Sequence, residues 1–143
     1  MTPSNVETLT QINLDDLISS FGWQNYPFLA RLLRRTLISP PQKFAHQMAE
    51  FDSAIGSQGL VEASRLAIGR FVEDIRVFGR ARIPASSFLA LSNHPGMTDT
   101  LSLFIALARP DLKIIALDRP FLNALPNMSK QLAYVTEDSG ARF

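Results

Sequence analysis

The chain has 143 residues, 46% of them apolar, with a formal charge of +1 and no cysteine. That length and composition suit a single globular domain with a real core, and so balanced a charge gives no general pull toward a nucleic-acid backbone. The absence of cysteine excludes a disulfide framework, a thiolate metal site and a cysteine nucleophile. Met1 to Glu7 lacks the basic start and apolar core of a secretory signal. Each apolar stretch is interrupted by Arg, Asp, Lys or Pro well short of the about 20 residues that span a bilayer. Contact with a membrane is therefore expected from its surface.

The first half reads as helical. Asn13 is the expected N-cap of a first helix, with Asp15 and Asp16 in the turn after it, where the helix dipole favours acids, and an end near Gly22. A second helix follows Pro27, with Leu29, Leu32, Leu33 and Leu37 on one side and Arg31, Arg34 and Arg35 on another. Ser39-Pro40-Pro41-Gln42 combines a capping serine, prolines in the first turn and a capping-box glutamine, which predicts a new helix start. Phe44, Met48, Phe51 and Ile55 continue that helix as a stripe, and Gly56 and Gly59 close it. Leu60, Ala67, Ile68 and Phe71 predict another.

The texture changes at Val72. Ile75 and Val77 alternate with polar neighbours before Gly79, a short strand pattern, and Phe88-Leu89-Ala90-Leu91 reads as a central strand buried on both faces. The stretch from Thr100 to Ala108 is apolar nearly all round, as a buried helix is, and Pro110 is expected to stop it. Lys113 to Leu117 and Leu132 to Thr136 predict two more strands, with short helix and turn between them. The expected organisation is an N-terminal helical region over 1–71, then an α/β part over 72–143 whose mixed or largely parallel sheet is joined by crossover helices.

Between the Phe88 strand and the apolar helix lies Asn93-His94-Pro95-Gly96-Met97-Thr98-Asp99. A histidine just past a strand sits where α/β sheets bind ligands. Four residues separate His94 from Asp99, so a chain that turns into a helix near Met97 can bring the carboxylate back to one ring nitrogen. The other nitrogen is then a base for a hydroxyl. An alcohol so activated can attack an acyl thioester, whose thiolate leaves readily, and amides from Met97 to Asp99 are placed to hold the oxyanion. As a rival reading, Asp99 can be an ordinary first-turn acid and Asn93 to Gly96 an ordinary turn.

Taken together, Phe88 to Asp99 preceded by Ile75-Arg76-Val77-Phe78-Gly79 resembles the first conserved block of the glycerol-phosphate and lysophosphatidate acyltransferase family, a short strand, an apolar strand and then Asn-His-x-x-x-x-Asp. The resemblance covers about 72–135. It implies His94 as general base, Asp99 as its partner, an acyl-CoA or acyl-carrier-protein thioester as donor and a glycerolipid-type hydroxyl as acceptor, with no cofactor beyond that co-substrate. Asn93 and Gly96 are then substrate-binding residues. Arg119, a basic residue following a strand, is a candidate for an acceptor phosphate, its rival role being a solvated ion pair with Asp118 or Asp111. Downstream, Tyr134-Val135-Thr136-Glu137 lacks the arginine of the family's second block, and Phe-Pro-Glu-Gly-Thr does not occur. The expectation is either a C-terminally truncated piece of a longer enzyme or a divergent product.

His46 falls away from its helix's apolar stripe and is assigned no role; no metal-ligand spacing occurs, so no metal is expected. Arg31, Arg34 and Arg35, near the aromatics Trp23, Tyr26 and Phe28, are candidates for contact with anionic lipid. The expected location is cytoplasmic, peripheral on a membrane. Two rival functions remain: a non-catalytic acyltransferase fragment, and a helical module over residues 25 to 71 that binds a membrane surface or a protein partner.

Overall fold

The computed structural model describes residues 3–23, 25–93 and 96–136. It is mostly helical with one small parallel sheet, in the order α1 (Pro3–Ser20), α2 (Pro27–Thr36), α3 (Ser39–Gln58), α4 (Leu60–Ile68), a 3-10 turn (Arg80–Arg82), α5 (Met97–Leu107), β1 (Ile114–Leu117), α6 (Pro120–Asn123), α7 (Pro126–Ser129) and β2 (Leu132–Val135). The described chain forms two compact units, residues 1–53 with 113–143, and residues 54–112, which do not coincide with a division at residue 71.

In the first unit α1 begins ten residues before Asn13, which lies inside the helix and does not cap it. Pro3 supplies a first-turn φ, and Leu9, Leu14 and Ile18 carry one buried stripe straight through the Asn13 position. Leu14 and Ile18 pack with Trp23 and Ala30, joining α1 to α2. On α2, Leu32 is exposed, as is Leu37 just beyond the helix; the Leu29 and Leu33 side chains lie outside the described set. Helix α3 starts at Ser39 as its capping pattern predicts and buries Ala45, Met48, Ala49, Phe51 and Ile55. Gly56 stays helical, and Gly59, with φ +84°, makes the break.

Strands β1 and β2 pair in parallel, Ile114 opposite Leu132 through Leu117 opposite Val135. The crossover between them carries α6 and α7, and it is fastened to α3 by Asp52 and by the stack of Phe44 on Phe121. Asp52, 1% exposed, accepts hydrogen bonds from the backbone N–H groups of Asn127 (2.9 Å) and Met128 (2.8 Å) and from Asn127 Nδ2 (3.1 Å). It supplies from another element the cap that Leu125, at the N-cap position of α7, cannot provide.

The second unit is built on α4 and α5. Leu60, Ala63, Ser64 and Ile68 of α4 are buried, as are Leu101, Phe104 and Ile105 of α5, and the two helices are in contact. Phe71, expected on the α4 stripe, lies beyond the helix and is exposed. Helix α5 is buried along one side only, and it ends at Ala108 in the left-handed region, φ 50°, before Pro110 is reached.

The strands expected at Ile75 to Val77 and Phe88 to Leu91 do not form. Both segments are unpaired coil, with Leu89 73% and Leu91 87% exposed. A strand exists by virtue of a neighbour's ladder, and among the described residues the only ladder joins β1 to β2. Two arginines hold this coil. Gly79, φ +77°, turns the chain so that Arg80 donates to the carbonyls of Ile105 (2.7 Å) and Ala106 (3.3 Å) at the C-terminal end of α5. Arg109 donates to the carbonyls of Pro84 (3.4 Å) and Ala85 (3.1 Å) and lies 5.7 Å from the centre of the Phe88 ring.

Candidate functional site

The Asn93 to Asp99 segment enters α5, whose N-terminus is fixed because Leu101, Phe104 and Ile105 anchor the turns that follow. Gly96 occupies the N-cap position in extended conformation (φ −162°, ψ 175°), with no side-chain cap. The first-turn N–H groups of any helix lack i−4 partners and face whatever lies beyond its end, carrying the positive end of the dipole. Asp99 is in that first turn, exposed, and its carboxylate folds back over the turn: Oδ2 lies 3.3 Å from the position a Cβ on Gly96 would take.

Asn93 is exposed in the coil before the helix. His94 and Pro95 lie outside the described residues, so the expected contact between His94 and Asp99 lies outside them too. Helix α5 therefore brings Gly96 and Asp99 together. Ser102 Oγ donates to the Thr98 carbonyl (2.8 Å), one turn back along the same helix.

Arg119 belongs to the other unit. It is exposed, directly precedes α6, and its carbonyl accepts from the N–H groups of Leu122 (3.0 Å) and Asn123 (3.1 Å). Asp118 accepts from Asn123 Nδ2 (2.7 Å), and Asp111, in the second unit, is paired with Arg109 at 2.7 Å. Its hydrogen bond to Arg109 pulls the Asp111 carboxyl down to about 2, and the same bond raises the Arg109 guanidinium.

Of the basic face on α2, Arg31 and Arg35 are exposed, whereas Arg34 forms an ion pair with Asp15 of α1 and donates to Gln11 Oε1 (3.0 Å). His46 is exposed on α3. Among the described residues no group of three or more His, Asp or Glu side chains is placed to hold a metal ion, and no helix is long and apolar enough to cross a membrane.

Three structural residues escaped the sequence reading. Asp52 had a signal, an acid set within a run of buried apolar positions, but its partners are 75 and 76 residues away. Arg80 and Arg109 had a weaker one, since the last turn of α5 contains no basic residue to offset its dipole. Compared with protein-family models, curated proteins and solved structures, the chain matches none.

Proposed function

We propose that this chain is part of an acyltransferase that moves a fatty acyl group from a CoA or acyl-carrier-protein thioester to a glycerolipid-type hydroxyl. The observation that carries the reading is the Asp99 carboxylate turned back over Gly96, the N-cap position of α5. A carboxylate so placed can fix the imidazole tautomer, which is what a general base acting on an alcohol needs.

In the proposed reaction His94 takes the proton of the acceptor hydroxyl as its oxygen attacks the thioester carbonyl. The oxyanion is held by first-turn amides of α5. Collapse breaks the carbon–sulfur bond, and the proton on His94 passes to the departing thiolate, giving an ester and a free thiol. Asn93 and Gly96 border this path. In its finer form the proposal includes a larger acyltransferase-like α/β sheet, of which β1 and β2 are a part, and peripheral attachment to a membrane. Acceptor-dependent thiol release, compared between the wild type and His94→Ala, tests it.

A second reading has its own support. Phe28 is 78% exposed, and Tyr26 and Leu32 are also exposed, beside the exposed Arg31 and Arg35. Apolar and basic side chains displayed together on one helix suit a surface of anionic lipid. This reading proposes α2 as the membrane contact, whether or not the chain is catalytic.

A further inference from the structure

Within the first unit, α1, α3 and the β1–α6 junction border an open pocket of about 460 Å³, lined by Ile12, Asn13, Asp16, Phe44, Arg119, Pro120, Phe121 and Leu122. That volume lies in the range of small-molecule sites. Part of its wall is apolar: the Phe44 and Phe121 rings stack nearly parallel, 5.8 Å between centres and 13° between planes, and Ile12 and Leu122 lie beside them. Its polar groups are Asn13, Asp16 and Arg119. The Asn13 side-chain nitrogen is buried and has no hydrogen-bond partner among the described residues, in the middle of a helix that does not need it as a cap. An unpartnered buried donor is costly to the folded state, and an acceptor on a ligand would remove that cost.

We infer that this pocket is a binding site for a small amphiphilic monocarboxylate, its apolar body against Phe44, Phe121, Ile12 and Leu122 and its two oxygens taken by Asn13 Nδ2 and the Arg119 guanidinium. Two donors of different kinds suit the two acceptor oxygens of one carboxylate. Asp16 sets the charge limit: its carboxylate cancels the formal charge of Arg119, so the site tolerates a monoanion and disfavours a phosphate dianion. The inference does not depend on acyl transfer, because every lining residue is in the first unit and none belongs to the Asn93 to Asp99 segment.

Isothermal titration of the full chain with octanoate, octanol and octyl phosphate, each below its aggregation threshold, tests it without any turnover. Saturable one-to-one binding of octanoate is expected, with octanol and octyl phosphate weaker by roughly tenfold or more. Asn13→Leu is expected to weaken octanoate by at least about tenfold while leaving Tm unchanged or higher, since it also removes the unpartnered donor. The isosteric Asn13→Asp, which replaces the donor with an anion, is expected to abolish binding, and Asp16→Asn to tighten it. Absence of saturable octanoate binding, tighter binding of octyl phosphate, or unchanged octanoate affinity in a folded Asn13 variant overturns the inference.

Discussion

Asp99 and Gly96 are tied by space, the Oδ2 of one standing 3.3 Å from where a Cβ on the other would be. Because Gly96 has extended backbone that any residue can adopt, its lack of a side chain matters for room and not for φ. Gly96→Ala is therefore expected to displace the Asp99 carboxylate without unfolding α5. On the proposed mechanism kcat for acyl transfer falls by roughly tenfold or more while Tm moves little, because misplacing an orienting group degrades geometry. Paired kinetic and thermal-melt measurements check this; full activity in Gly96→Ala means that the carboxylate position is not used.

Asp52 links segments distant in sequence, a buried carboxylate with three donors from the α7 turn. Asp52→Ala leaves the backbone N–H groups of Asn127 and Met128 without their acceptor, while Asn127 Nδ2 keeps the Asp52 carbonyl (3.1 Å). A loss of about 2–4 kcal/mol is expected in chemical denaturation. The more conservative Asp52→Asn is expected to lose less, since one oxygen still accepts.

How far the sequence was legible follows from the range of each interaction. Helices α3, α4 and α5 and strands β1 and β2 were legible because caps, glycines and apolar stripes act within a few residues. The start of α1 was missed because Asn13 has the chemistry of a cap, whereas the stripe of Leu9, Leu14 and Ile18 runs through it. The coil at 75–77 and 88–91 reads as strand in the sequence because alternation and apolar runs describe a strand's faces and say nothing of a pairing partner. At the candidate site the sequence identified the Asp99 turn, and could not foresee the 460 Å³ pocket, whose walls come from residues 12–16, 44 and 119–122.

Arg109 and Asp111 set a pH dependence for the 84–88 coil. The hydrogen bond from Arg109 lowers the folded carboxyl to about 2, below its ordinary value of 3.8. A depressed carboxylate stabilises fully above the ordinary value, and that contribution disappears as pH falls from there toward 2. Amide hydrogen exchange at residues 85–88 is expected to show protection, corrected for intrinsic rates, falling between those two pH values. Asp111→Asn is expected to remove this step and leave exchange on α4 unchanged. The effect is local and weak, since Asp111 is exposed and screened.

Helix α2 offers Arg31, Arg35 and Phe28 to a surface, while Arg34 is engaged with Asp15. Sedimentation with vesicles containing phosphatidylserine is expected to capture the wild type at low salt and to lose it in Arg31→Ala/Arg35→Ala, at about 1 kcal/mol for each arginine. Arg34→Ala is expected to loosen α1 from α2 more than it weakens vesicle binding. Capture that ignores the Arg31 and Arg35 changes counts against α2 as the contact.

The most direct measurement is thiol release from a long-chain acyl-CoA in the presence of lysophosphatidate, with the wild type, His94→Ala and Asp99→Asn side by side. The chain has no cysteine, so its own thiol background is nil. Acceptor-dependent release by the wild type is expected, reduced by roughly 10²–10⁴ in His94→Ala, with a marked loss in Asp99→Asn. A folded wild type that releases no thiol, or a His94→Ala variant that releases it at the wild-type rate, contradicts the assignment of acyl transfer to this segment.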